Sequence, residues 1–493
     1  MLTAPLERRA DKNLYEQVAE RIEQLVLGGT LRPGERAPSV RKLHAQLSVS
    51  IATVLGAYRL LEARGVLEAR PQSGYYVRPA QLRRAPPAAH LPEPALERLP
   101  RRAQRVSCSE LALRICRSAQ GGEVLQLGAA LPSPELLPYR ELHRLLAREL
   151  RRHPREIAQC EFPPGLASLR AQVARRALEA GCALSPDEVL ITAGATEALQ
   201  LCVRAVARPG DTIAVESPAY YGLLQILESL QLKAIELPTS PREGLDLDAL
   251  EALLARGESV RAIVAQPNAS NPLGAIMPDA HKQRLAELVA RHRVPLIEDD
   301  TFGELCFADQ RPKCVKAYDR SGLVMTCSSF SKSLAPGYRV GWVAPGAAWA
   351  ELERLKLVSS IGTSAPAQFA VAAFLAEGGY DRHLRRLRRT YQDNIELMRQ
   401  AVCAHFPQGT RAARPLGGHV LWVELPRELD AIALHDAALA EGISIAPGAI
   451  FSPTRRYAHC VRLNCGLPWS DEVERGVARV GALASEQLAR RTS

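Results

Sequence analysis

The spacing of hydrophobic positions changes character twice along the chain. Leu14, Val18, Ile22, Leu25 and Val26 recur at helical intervals, which predicts a first helix over 14–27. Gly28-Gly29 and Arg32-Pro33-Gly34 break that pattern. A second helix is expected after Ser39 as N-cap, with Val40, Leu43 and Leu47 on its buried side. A turn at Leu47-Ser48-Val49 leads to Ser50, a second N-cap, and to a third helix that buries Val54, Tyr58 and Leu61 and stops near Gly65. Val66 to Arg70 and Tyr75 to Val77, either side of Pro71-Gln72-Ser73-Gly74, read as two strands about a tight turn, a wing.

Six prolines between Pro79 and Pro100, interleaved with Ala and Arg, carry no periodic apolar face and predict a semi-extended linker. Farther on, apolar runs at 188–191, 212–215, 262–265, 294–297 and 323–326 alternate with helical stretches, the signature of an α/β layer around a mostly parallel sheet. After about residue 370 an Arg-rich helix (Tyr380 to Met398), hairpin-like strands and a final helix suggest a smaller α+β subdomain. The expected organisation is therefore 1–78 winged helix-turn-helix, 79–106 linker and 107–493 effector domain. Within the last, a large subdomain spans about 170–370, and a small one about 371–493 plus the N-terminal segment.

At 493 residues the chain has room for two or more cores. The opening MLTAPLERRADKNLYEQ has no charged-then-apolar pattern, and no apolar run approaches the ~20 residues of a spanning helix, so a cytoplasmic protein without a membrane partner is expected. Eleven cysteines lie singly without a C-x-x-C pair, which predicts neither a disulfide framework nor a metal site. Of the net charge of +10, residues 1–105 carry +8, with 18 Lys/Arg against 10 Asp/Glu. A basic N-terminal module suits a phosphate backbone, since neutralising DNA phosphates releases counterions.

In a helix-turn-helix the second helix offers its N-terminal residues to base edges. Ser50, Ile51, Ala52, Thr53 and Tyr58 or Arg59 are assigned to that face; Arg36, Arg41 and Arg70 are assigned to phosphates, with Ser39 and Ser73 beside them. The stretches APSVRKLHAQLSVS, AYRLLEARG and QSGYYV resemble a GntR-type winged helix, which implies double-stranded DNA as partner. That family commonly has Arg where this chain has Ile51, so readout there would rest on apolar contact.

A pyridoxal phosphate site needs a lysine, a carboxylate against the pyridine nitrogen, a phosphate cradle and a group on the ring face. Candidates follow in order. TAGATEALQL opens a helix after a strand, Tyr220 sits in SPAY, Asn271 lies in QPNASNPLG, one carboxylate comes from Glu298-Asp299-Asp300, and Lys332 lies in SSFSKSLAPGYRVGW. These segments resemble fold-type I aminotransferases over about 107–490. The resemblance implies Lys332 as the aldimine lysine, Asp299 on the ring nitrogen, Asn271 on the ring oxygen and Tyr220 on the ring face. It further implies Ala195, Thr196, Ser329 and Arg339 at the phosphate, and Arg462 in CVRLNCG as the clamp on a substrate carboxylate. Phe302 and Cys160 stand where that family usually has tyrosines, the second of which reaches the neighbouring subunit's phosphate.

Joined in this order, the modules resemble MocR regulators, the GntR subclass with an aminotransferase-like effector domain. That implies a homodimer, with the DNA-binding module of one subunit swapped onto the other, and a regulator that senses an amino compound, or the cofactor itself, through Lys332. A working aminotransferase with an accessory DNA-binding module and a constitutive DNA-binding scaffold are the alternatives.

Overall fold

The computed structural model describes residues 13–27, 30–31, 34–47, 49–64, 66–70, 74–77, 91–94, 102–118, 124–257 and 259–492. They fall into two compact units, divided between Ala88 and Ala89.

The first unit holds helices α1 (Leu14–Leu27), α2 (Val40–Leu47) and α3 (Ile51–Ala63) and strands β1 (Leu67–Arg70) and β2 (Gly74–Val77). The predicted caps form: Ser39 Oγ accepts from Lys42 N at 3.2 Å, and Ser50 Oγ accepts from Thr53 N at 3.0 Å. Val18, Ile22, Leu43, Val54, Tyr58, Leu61 and Val77 are fully buried in one cluster. β1 and β2 pair antiparallel, and residues 34–37 add a further antiparallel edge along β2. Ala37 N bonds Tyr75 O and Val77 N bonds Glu35 O, both at 2.8 Å.

The second unit is built on a sheet of nine strands among the described residues. In chain order the main ones are β3 (Gln104–Arg105), β4 (Leu190–Thr192), β5 (Thr212–Ser217), β6 (Lys233–Ser240), β7 (Val260–Ala265), β8 (Leu296–Asp299), β9 (Val324–Ser329) and β10 (Gly341–Ala344). They lie side by side as β3-β6-β5-β7-β8-β9-β10-β4. The five strands from β6 to β9 run parallel, and β3 and β10 are antiparallel to their neighbours. Parallel strands are apolar on both sides because helices cover both faces. Ile213, Val215, Ala262 and Val264 point into one cluster, Ala214, Ile263 and Ala265 into the other.

A second sheet of short strands, β11 (Arg411–Ala412), β12 (Val420–Glu424), β13 (Ala446–Pro447) and β14 (Cys460–Asn464), is ordered β11-β12-β14-β13. Upstream, Leu125–Gln126 pairs in parallel with Ile443–Ser444 as a separate two-stranded sheet.

Two expected boundaries shift. The 370/371 division falls inside the helix Ala365–Ala376, whose Phe374 packs with Tyr380 and Tyr391 of the next helix, Gly379–His405. The C-terminal half of that long helix buries Met398 and Val402 against the small sheet instead, so one helix spans both layers. The expected linker 79–106 also reaches too far. Pro92 O accepts from Ala412 N at 3.0 Å and Gln104–Arg105 is an edge strand, so described residues 91–94 and 102–106 belong with the effector unit. No helix among the described residues is long and apolar enough to cross a membrane.

Candidate functional site

In the first unit Ser50, Ile51 and Ala52 are exposed at the start of α3, where Ile51 keeps 47% of its surface open. Thr53 is half-buried, and its Oγ1 lies 2.8 Å from Ser50 Oγ. Arg36, Ser39, Arg41 and Arg59 are also exposed. Tyr58 is not on that surface. It is fully buried, its hydroxyl donates to Pro38 O and its ring centroid lies 4.7 Å from that of Tyr75. The assignment of Tyr58 to DNA is therefore corrected: position 58 is four residues beyond Val54 and three before Leu61, so it shares their inward stripe. The side chain of Arg70 and the whole of Ser73 lie outside the described residues.

In the second unit the parallel strands end on one edge, where ligands gather in open α/β folds. Tyr220 follows β5, Asn271 follows β7, Asp299 ends β8 and Ser329 ends β9. A cavity of about 230 Å³ opens there, and its walls include Ala195, Thr196, Tyr220, Asn271, Asp299, Ser329, Lys332 and Arg339, all eight of the residues picked for the cofactor.

The strand-to-helix turn before Ala195 depends on glycine. Gly194 has φ +89°, and a Cβ there would collide with the Arg339 guanidinium. No side chain caps the following helix, Ala195–Val206, so its first N–H groups and the positive end of its dipole face the cavity edge. Arg339, itself left-handed at φ +52°, donates to Ser331 Oγ at 3.0 Å and to Ala193 O at 3.1 Å. These are the parts of an anion cradle.

Of the three acidic neighbours only Asp299 lines the cavity. Glu298 accepts from Val315 N and Thr326 Oγ1, and Asp300 pairs with Arg311 at 2.5 Å. Asp299 Oδ1 accepts from Thr301 N at 3.0 Å and Thr301 Oγ1 at 2.5 Å, and Oδ2 accepts from Gln266 Nε2 at 2.5 Å. Burial raises its acid above the usual carboxylate range, and those donors pull it back.

Lys332 Nζ donates to Ala130 O at 2.6 Å. Loss of hydration, then the charges of Arg462 and Arg339, pull the Lys332 ammonium down to about 8. Arg462, on β14, is fully buried; Nη1 donates to Asn271 Oδ1 at 3.3 Å and Nη2 to Gly128 O. Its guanidinium carbon lies 5.7 Å from the Tyr221 ring centre. Phe302 lines the cavity with its ring 5.3 Å from that of His419. Cys160 is exposed.

Several wall residues carried no assignment from sequence: Ala129, Ala130, Leu131, Tyr221, Gln266, Thr301 and Ser331. Gln266, Thr301, Tyr221 and Ser331 stand within a few positions of residues that were picked, which was the available signal. Residues 129–131 are apolar and offer none.

The two units define a class: a winged helix-turn-helix on the same chain as a fold-type I aminotransferase-like domain, a transcription regulator by construction. Residues 14–77 match the bacterial regulatory proteins of the gntR family and residues 137–480 match aminotransferase class I and II; the chain belongs to both families. It is 40% identical over 474 residues to the uncharacterized HTH-type transcriptional regulator YdcR of Escherichia coli (strain K12), covering 96% of this chain and 99% of that one. Among solved structures, it is similar to the multiple substrate aminotransferase of Thermococcus profundus (TM-score 0.71, 27% identity, 78% of this chain and 96% of that). LysN, the α-aminoadipate aminotransferase of Thermus thermophilus complexed with N-(5'-phosphopyridoxyl)-L-leucine, is similar at TM-score 0.70 and 31% identity, over 78% of this chain and all of that one.

The cofactor of this class is pyridoxal 5'-phosphate, and the donor set here fits it: an amine of lowered pKa, a buried carboxylate and a helix N-terminus beside an arginine. When bound, it supplies an electron sink for an attached amino compound.

Proposed function

We propose that the chain is a DNA-binding regulator whose effector domain holds pyridoxal phosphate covalently at Lys332 and responds to an amino-acid-like compound, or to the cofactor's own presence. The observation that carries this is the convergence of all eight cofactor candidates on one cavity, at the edge where the parallel strands end. In this reading Asp299 faces the pyridine nitrogen, Asn271 the ring oxygen and Tyr220 the ring face, while Ala195, Thr196, Ser329 and Arg339 hold phosphate. Arg462 takes the effector's carboxylate. Ser50, Ile51, Ala52 and Thr53 meet base edges, and Arg36, Ser39 and Arg41 the backbone. The working unit is a cytoplasmic homodimer with exchanged DNA-binding modules.

An effector acts only through its different affinity for two arrangements of the dimer. Replacing Lys332 by Ala is expected to abolish both the lysine-dependent absorbance of added pyridoxal phosphate and the effector-dependent change in DNA affinity. A Lys332→Ala protein whose DNA affinity still responds normally refutes covalent sensing.

A second reading, turnover as an aminotransferase, is favoured by the lowered pKa of Lys332 beside an intact Asp299. Stoichiometric conversion to the pyridoxamine form, regenerated by a keto acid over many cycles, would support it. Conversion without regeneration leaves the regulator.

A further inference from the structure

Gln266, one position beyond the end of β7, lies beside Asp299 because β7 and β8 pair in parallel with Ala265 opposite Glu298. Its side-chain amide is used at each end. Nε2 donates to Asp299 Oδ2 at 2.5 Å, and Oε1 accepts from the backbone N–H of Asn271 at 2.9 Å. The partners dictate the orientation of the amide, because a carboxylate only accepts and a backbone N–H only donates. Gln266 N in turn donates to Glu216 Oε2 at 3.1 Å, on the next strand, β5. Three adjacent strands are thus tied in a row immediately beneath the cavity.

We propose that Gln266 is a positioning residue for the cofactor: a single amide fixes both the carboxylate that meets the pyridine nitrogen and the turn that presents Asn271 to the ring oxygen. With Thr301 on Oδ1 and Gln266 on Oδ2, the Asp299 carboxylate cannot turn about its own axis, and its remaining acceptor capacity faces the cavity. No other common side chain of this length serves both ends. A carboxylate would set a second anion against Asp299, and a leucine would strand a buried carboxylate oxygen and a buried N–H.

Glu216 fits the same arrangement. Its Oε1 is buried without a hydrogen-bond partner beside Gln266 and Asp299, and burial pushes its acid up to about 8. Near neutral pH it carries its proton, so the row holds one negative charge, on Asp299, where the ring nitrogen needs it.

The inference rests on pyridoxal phosphate occupying this cavity, and the test separates the two claims. Full-length wild type, Gln266→Leu, Gln266→Glu and Thr301→Val proteins are stripped of cofactor and titrated with pyridoxal phosphate. The readouts are the dissociation constant, the pH midpoint of the cofactor's absorbance and the melting temperature before cofactor is added. Gln266→Leu is expected to weaken binding about tenfold or more and to move the midpoint by about half a unit or more, with Thr301→Val moving it the same way. Gln266→Glu is expected to bind poorly at pH 8 and to recover towards pH 6, where a proton restores a donor to Asp299. Wild-type binding and midpoint in Gln266→Leu overturn the proposal, as does a fall in melting temperature with an unmoved midpoint in the folded fraction. A wild type that binds no pyridoxal phosphate overturns the cofactor assignment itself.

Discussion

Arg242 grips Glu93 through two parallel bonds, Nε to Oε2 at 2.9 Å and Nη2 to Oε1 at 3.1 Å. Glu93 follows Pro92, whose carbonyl accepts from Ala412 on the small sheet, while Arg242 sits in the turn after β6 of the large sheet. Residues 92–93 therefore bond to both layers of the effector domain.

That tie separates coupling from stability. The Arg242 side chain is 77% exposed, and so open a pair, screened by solvent, adds little to stability. Arg242→Ala is expected to leave the cofactor spectrum unchanged and the melting temperature nearly so, while shrinking the effector-dependent change in DNA affinity. Fluorescence anisotropy on operator DNA with and without effector checks it; an undiminished response removes the tie from the signalling route.

The amine of Lys332 must be neutral to act as a nucleophile. With its ammonium pulled down to about 8, the neutral fraction rises about tenfold per unit up to that pH and then levels. Uptake of pyridoxal phosphate by cofactor-free protein should follow this course in stopped-flow absorbance, and a rate still climbing tenfold per unit at pH 10 contradicts it. The stability sign is also fixed. The unfolded chain keeps this proton to a higher pH than the folded one, so Lys332 alone makes the cofactor-free fold more stable as pH rises from about 8 towards its ordinary range.

Phe302 is 4% exposed and lines the cavity. Phe302→Tyr adds a hydroxyl where the aminotransferase family usually has one, and one net hydrogen bond is worth about 0.5–1.5 kcal/mol. Cofactor retention in equilibrium dialysis should tighten about 2- to 13-fold. Unchanged or weaker retention would mean that the hydroxyl finds no partner there.

Tyr58 and Ser50 belong to the scaffold of the DNA-binding unit. Tyr58→Phe strands the Pro38 carbonyl and Ser50→Ala removes the cap of α3, each costing about 1 kcal/mol. In calorimetry the first unit should melt about 4–8 °C lower in each case. The ranking of operator variants should survive Tyr58→Phe and change on replacing Ile51, whose side chain is exposed at the start of α3.

Arg462 is tied to Asn271 and to Gly128 O. Arg462→Lys keeps the charge but loses the planar fork that matches a carboxylate. Binding of carboxylate-bearing effectors should fall about tenfold or more, while amines lacking a carboxylate are little affected in the same spectral titration.

The sequence by itself determined the two-unit order, the three helices and wing, the alternating strands and the chemical types clustered at the cavity. Each of these rests on information within a few residues: periodicity, a cap, or a turn ahead of a helix. The tertiary structure decided what depends on packing between distant segments. Asp299 faces the cavity while Glu298 and Asp300 do not, because each neighbour is claimed by Val315 and Thr326 or by Arg311. Tyr58 turned inward because the apolar stripe of α3 had to face α1 and the wing. Ala129 to Leu131 became wall, and Gln266 became the link between Asp299 and Asn271, only once the parallel sheet set their strand ends side by side. Local pattern records what each residue offers; which partner takes up that offer is settled by strand order and burial.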